Sequence, residues 1–339
     1  MAKSPPSIRF AAHPPRPRAR GKKEGAALLA GPLTAGQLQL ASRARLQHEE
    51  AIKMATAPER MRALLAKPGF IPMPAVWDGL TAQLAAKAGF ETAFLSGSCC
   101  AASRLGGPDL DLISFAEMFD SFNMVHQSAP QTLVLADGDH GYGNPMNVMR
   151  TVKAYGRAGA AAILIEDKIT PRALTSAGKP CISRDEARMK VRAAVEAAKE
   201  SGILILARTD CRPTQGLDEA LARIDMYVKE GADILFLDSP QGLEEHRKGV
   251  QAASGKPAFN VLSPGPAGMP TRREAESIGL KIGTYPTIML SPAINAMMQG
   301  LAALKAGEAA SDLALPGAVH REVLGYPAYD DEAAPYRLG

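Results

Sequence analysis

The stretch 133–144, LVLADGDHGYGN, carries the densest chemistry in the chain. Its apolar start reads as a buried strand that stops at Asp137-Gly138-Asp139. Side chains two apart along a strand share a face, so both carboxylates leave the strand's carboxyl end together. Gly138, Gly141 and Gly143 let the backbone bend sharply and come close to a small ligand. Paired carboxylates on rigid backbone suit a hard cation, Mg²⁺ or alternatively Mn²⁺, which takes oxygen ligands and keeps several waters. The same residues also fit an acidic loop whose aspartates only cap the next helix.

Other polar residues stand where apolar runs end. They are Ser96, Gly97 and Ser98; Glu166 and Asp167; Arg208 and Asp210; and Asp238, Asn260 and Tyr285. Asp137, Asp139 and Glu166 form the expected metal set, direct or through water. Arg208 reads either as a bidentate clamp for a substrate carboxylate or as the internal partner of Asp210. Backbone N–H groups around Ser96–Ser98 could receive a second carboxylate or a developing oxyanion. A metal facing carboxylate binders implies a small 2-oxo or 2-hydroxy diacid, with the cation stabilising an enolate as Lewis acid. His140 either orients a ligand or water or is a polar loop residue. Cys99 and Cys100 read as packing residues, and Cys181 as a thiol without an evident activator. Joint 168–182 is long; Lys168, Arg172 and Lys179 either close over an anion or are solvated.

To bring these residues together, the chain must supply a repeating unit of short strand, joint and amphipathic helix. Strands are expected at 70–78, 92–100, 132–139, 161–167, 203–210, 233–239, 257–263 and 280–286, each followed by a helical pattern. Strands alternating with helices imply parallel pairing, and eight such units predict an α/β fold, a closed (β/α)₈ TIM barrel. Active sites of such barrels sit at the carboxyl ends of the strands. Neither a G-x-G-x-x-G fingerprint nor a G-x-x-x-x-G-K-[ST] loop favours an open sheet. The helix predicted over 288–306 is apolar enough to pack on a neighbouring subunit, and equally on its own core.

The net charge of +4 is unevenly placed. Residues 1–57 hold ten Lys/Arg against three Asp/Glu, and the remainder 29 against 32. The Pro/Arg-rich arm 1–57 is expected to be disordered, the barrel to span 58–310, and a tail to cover 311–339. A barrel with this balance gives no general invitation to nucleic acid. No apolar run approaches a membrane span, so a cytoplasmic protein is expected, with an organellar transit peptide as the alternative reading of the arm. The four cysteines lack C-x-x-C spacing, which indicates neither a zinc site nor a disulfide framework.

DGDHGYGN (137–144), LIEDK (164–168) and ARTD (207–210), with FLSGS (94–98), LGGPD (105–109) and TYP (284–286), resemble the isocitrate lyase/phosphoenolpyruvate mutase superfamily. The resemblance covers roughly 58–305. It implies a (β/α)₈ barrel, homotetramers exchanging the last helix, and Mg²⁺-dependent cleavage of C–C or P–C bonds beside an enolate. By position it implies Asp137, Asp139 and Glu166 at the metal. Ser96, Gly97, Ser98, Arg208, Asp238 and Asn260 then fall around the substrate, Asp109 near the reaction and Arg172 in the gating loop. The K-[KR]-C-G-H stretch of isocitrate and methylisocitrate lyases is replaced here by TPRALTSAG, without Cys or His. Leu174 and Thr175 stand where phosphonopyruvate-type mutases have Asn and Ser. His140 and GYGNPMNVMRTV resemble the oxaloacetate decarboxylase branch most, although TYPT (284–287) lacks that branch's His. Oxaloacetate decarboxylation is therefore the sharpest expectation. A 2-methylisocitrate or 2,3-dimethylmalate type lyase comes next, ahead of phosphonopyruvate chemistry or a non-catalytic dicarboxylate binder.

Overall fold

Eight parallel strands close on one another in chain order, β8 returning to β1. They are β1 (Ile71–Val76), β2 (Thr92–Leu95), β3 (Leu133–Asp137), β4 (Ala162–Glu166), β5 (Leu204–Thr209), β6 (Ile234–Leu237), β7 (Ala258–Val261) and β8 (Ile282–Tyr285). This computed structural model describes residues 55–171, 178–262 and 270–337. The basic arm called over 1–57 therefore falls almost wholly outside the described residues, and Arg172, Leu174 and Thr175 fall outside them too. A compact unit begins at Thr56.

Period-two alternation sorts the strand residues. One set (Met73, Phe94, Leu135, Leu164, Leu206, Phe236, Phe259, Ile282) fills the barrel's interior. The other packs outward against helices, as Val134, Ile163 and Ile205 do. The helix Ala57–Ala66, started by a capping box between Thr56 and Glu59, places the fully buried Met61 among Ile71, Leu133 and Leu204 at the strand starts. At the other end Phe259 touches Phe94 and Phe236, with ring centroids 5.7 and 4.9 Å apart, and makes an aromatic floor beneath the mouth.

The second strand is shorter than its sequence suggests. It ends at Leu95 because Ser96 becomes an N-cap, accepting the Cys99 N–H at 3.4 Å and starting the helix Gly97–Leu105. Gly138 is required by close approach: a Cβ there would lie 2.6 Å from the Leu164 carbonyl oxygen. The helix Leu290–Ala306 packs on its own core only through its start, at Leu290, and none of its residues is buried. Leu301 and Leu304 are 66% and 73% exposed. The tail carries two further helices, Gly317–Val323 and Tyr326–Ala333. Lys87 hooks the first of them, donating to the carbonyls of Glu322 and Val323 at 2.7 and 2.8 Å. Among the described residues no helix is long and apolar enough to cross a membrane.

Candidate active site

The register sets Glu166 on β4 directly opposite Arg208 on β5, and Arg208 opposite Phe236 on β6. These side chains point into the mouth, where a cavity of about 150 Å³ is lined by Ser96, Ser98, Asp109, Asp137, Arg208 and Asp238 over the aromatic floor. Val261, Thr284 and Pro286 complete its wall. Arg208 stands over the Phe236 ring, 4.9 Å from its centroid.

The geometry shows Arg208 as the internal partner of Asp210. Its Nε and Nη2 donate to Asp210 at 2.8 and 2.6 Å, Nη2 also lies 3.3 Å from Asp238, and Nε lies 3.4 Å from Glu166. Among the described residues Nη1 donates no hydrogen bond, whereas Nε and Nη2 are both engaged. Burial works against the guanidinium's charge, but Asp210, Asp238 and Glu166 outweigh it and hold the pKa well above the usual value.

Asp137, Asp139 and Glu166 are raised instead. Burial pushes Asp137 up against the pull of Arg208. Burial and then the repulsion of Asp137 and Glu166 push Asp139 well up, and burial and then Asp210 carry Glu166 up to about 7. Asp137 accepts the N–H groups of Asp139 and Gly97, both at 3.1 Å, and Asp139 accepts the Tyr142 hydroxyl at 2.8 Å. Among the described residues no three such side chains close into a ready-made metal cage. Glu166 is drawn aside, one oxygen 2.7 Å from Lys168 Nζ. Of the expected set, direct or through water, Asp137 and Asp139 lie beside one another and Glu166 also holds Lys168. A Cβ on Gly97 would meet Asp137 Oδ2 at 3.0 Å and Asp139 Oδ1 at 3.4 Å, so the two aspartates converge on one point. Hard oxygens held together at unfavourable charge fit Mg²⁺, which needs only one or two carboxylates beside its waters.

Other expectations are redistributed. In the Ser96 turn the Gly97 N–H is spent on Asp137 and the Cys99 N–H on Ser96. The Ser96 and Ser98 hydroxyls lie 3.0 Å apart. Asp109 is at the cavity's exposed rim. Asn260 does not line the mouth: Phe259 and Val261 occupy that face, so Asn260 points outward, donating to the Leu237 carbonyl at 3.0 Å. The same alternation turns Tyr285 away and brings in Thr284, and it sends Asp167 outward to Arg223 and Tyr227. His140 does not line the cavity. Its Nδ1 accepts the Tyr142 N–H at 2.8 Å, and burial, then Lys190, pushes its pKa down to about 4, leaving a neutral ring. Cys181 is buried, and burial, then Asp167, pushes its thiol up. Cys99 and Cys100 are packed in the core. Lys168 and Lys179 are ion-paired at the mouth rather than solvated; Lys168 binds Asp111, a residue the sequence reading missed.

A family model described as phosphoenolpyruvate phosphomutase matches residues 61–305. The chain is similar to 2,3-dimethylmalate lyase of Eubacterium barkeri, 36% identical over 247 residues that cover 73% of this chain and 85% of that protein. It is 34% identical to an oxaloacetate decarboxylase of Paraburkholderia xenovorans over 297 residues, covering 84% and 95% of the two chains. The structure of phosphonopyruvate hydrolase in complex with oxalate and Mg²⁺ superposes with a TM-score of 0.73 at 25% identity, covering 83% and 99% of the two chains. A closed barrel with strand-end carboxylates facing an arginine is the arrangement that the matched segment encodes, and the chain is a lyase of the phosphoenolpyruvate mutase/isocitrate lyase superfamily.

Proposed function

We propose that this lyase cleaves a C–C bond of a small 2-oxo or 2-hydroxy dicarboxylate through an enolate, and that it decarboxylates oxaloacetate to pyruvate and CO₂. The observation that carries this reading is one small cavity shared by Arg208, Asp137 and the Ser96–Ser98 turn. Arg208 binds the reactant's carboxylate through Nη1, and its bond to Asp210 fixes the guanidinium plane. Asp137 and Asp139, with Glu166 behind them, would hold Mg²⁺, which supplies Lewis acidity for the charge that develops on the 2-oxo oxygen. The Ser98 N–H and the paired hydroxyls hold the second carboxylate, and Phe236 and Phe259 exclude water from below. Among the described residues no Cys or His lines the cavity. Decarboxylation asks least of such a site, because the enolate carbon needs one proton and no base has to remove a hydroxyl proton first.

A second reading, 2,3-dimethylmalate cleavage, is favoured by the apolar wall of Val261 and Pro286, which suits methyl substituents. Mg²⁺-dependent pyruvate release from oxaloacetate, run beside 2,3-dimethylmalate, 2-methylisocitrate and phosphonopyruvate, separates the readings. Oxaloacetate turnover that disappears in Asp139→Ala supports the first. Turnover of dimethylmalate alone supports the second, and tight dicarboxylate binding without turnover would leave a binding barrel. The exposed apolar side of Leu290–Ala306 further supports a homo-oligomer, by resemblance a tetramer, in which that helix packs on a second copy.

A further inference from the structure

Four side chains at the mouth form a closed ring of alternating charge. Arg208 pairs with Asp210 at 2.6 Å and with Asp238 at 3.3 Å; Lys179 pairs with the same two carboxylates at 2.8 and 2.9 Å. Asp210 Oδ1 is shared between the two cations, whereas Asp238 gives Oδ1 to Arg208 and Oδ2 to Lys179. The segment that follows the lysine is tied back to the end of β4 and the residues after it. The Ile169 N–H donates to the Pro180 carbonyl at 2.8 Å, the Ile182 N–H to the Asp167 carbonyl at 3.0 Å, and Lys168 bridges Cys181. The paired ammonium and this anchored neighbour set Lys179 apart from a solvated side chain.

We propose that Lys179 is a positioning residue for substrate binding, holding Asp210 and Asp238 so that Arg208 keeps a free edge and the ring carries no net negative charge to repel a carboxylate. Arg208 faces three carboxylates, since Glu166 is also 3.4 Å away. Without a second cation these carboxylates compete for the guanidinium and repel an incoming anion. With Lys179 in place, Asp210 and Asp238 are neutralised in pairs. The inference rests on the reading of Arg208 as the carboxylate clamp.

Oxalate affinity in the presence of Mg²⁺, measured by calorimetry, tests it without relying on turnover. Lys179→Met should weaken oxalate about tenfold, the scale of one charge-assisted contact, whereas Lys256→Met, which removes an exposed charge elsewhere, should not. With oxaloacetate, Lys179→Met should raise KM more than it lowers kcat, the signature of lost ground-state binding. Adding Asp238→Asn to Lys179→Met removes the uncompensated carboxylate and should restore most of the lost affinity. A lysine that merely supported the loop would not be rescued in this way, even if Lys179→Met were less stable. Unchanged affinity in Lys179→Met, or no recovery in the double variant, overturns the proposal. If Arg208→Lys also binds oxalate as the unmodified enzyme does, the clamp reading beneath it falls instead.

Discussion

Replacing Asp167 by Ala should cost far more than a strand-end carboxylate normally would. The side chain is buried, as is that of Arg223, and its two oxygens hold three donors. These are Arg223 Nη1 at 3.0 Å, the Tyr227 hydroxyl at 2.8 Å and the Asp210 N–H at 2.9 Å. Breaking a buried ion pair from one side costs about 3–5 kcal/mol. Arg223 keeps Glu219 at 2.9 Å and the Ile182 carbonyl at 3.0 Å, which puts its share at the low end. Leaving the Tyr227 hydroxyl and the Asp210 N–H without acceptors adds about 1 kcal/mol or more. A total of about 4 kcal/mol lowers the melting temperature by roughly 8–16 °C for a domain of this size. Tyr227→Phe is the calibrating control, because it removes one hydrogen bond and no charge, about 1 kcal/mol. Circular-dichroism melts of both variants in one buffer make the comparison. A fall in Asp167→Ala no larger than that of Tyr227→Phe would refute the assignment of Asp167 as a buried brace.

Metal-free protein should lose melting temperature relative to its Glu166→Gln variant as the pH rises from 5 to 8, a comparison in which the opposite contribution of His140, pushed down to about 4, cancels. Glu166 is raised from 4.5 to about 7, so its contribution is intact below 4.5 and is lost as pH climbs through 7. Asp210 is held below its ordinary 3.8 and loses its contribution only in stronger acid, outside this window. Mg²⁺ should raise the melting temperature more at pH 8 than at pH 5; equal increments would argue against a cation beside Glu166. Leu301→Glu with Leu304→Glu changes exposed side chains only, so light scattering should show a smaller assembly while the barrel melts as before. An unchanged mass would exclude that helix from the interface. Asn260→Ala should cost about 1–2 kcal/mol through its lost bonds to Leu237 and Val261, with KM for oxaloacetate unaltered. A KM raised about tenfold would put Asn260 back at the substrate.

The misplaced strand-end residues share one cause, and it is geometric. Not every polar residue at a strand's carboxyl end faces the mouth, because only alternate positions can. Apolar runs separated by helical patterns located the eight strands, and strand order then followed from chain order because crossovers in a barrel are local. Asp137, Glu166, Arg208 and Asp238 share the parity of the interior residues Leu135, Leu164, Leu206 and Phe236, and they lie at the mouth. Asp167 and Asn260 have the opposite parity and face helices. Applying that count to each strand would have rejected Asn260 and Tyr285 and admitted Thr284, with no further information. The roles of Lys168 and Lys179 could not be reached this way. Lys179 meets Asp210 and Asp238 across 31 and 59 residues of chain, and nothing local distinguishes a lysine bound for two buried carboxylates from one bound for solvent. The ambiguity of Leu290–Ala306 is of the same kind: an apolar helix records that something must cover it, while its own sequence is silent on which surface does.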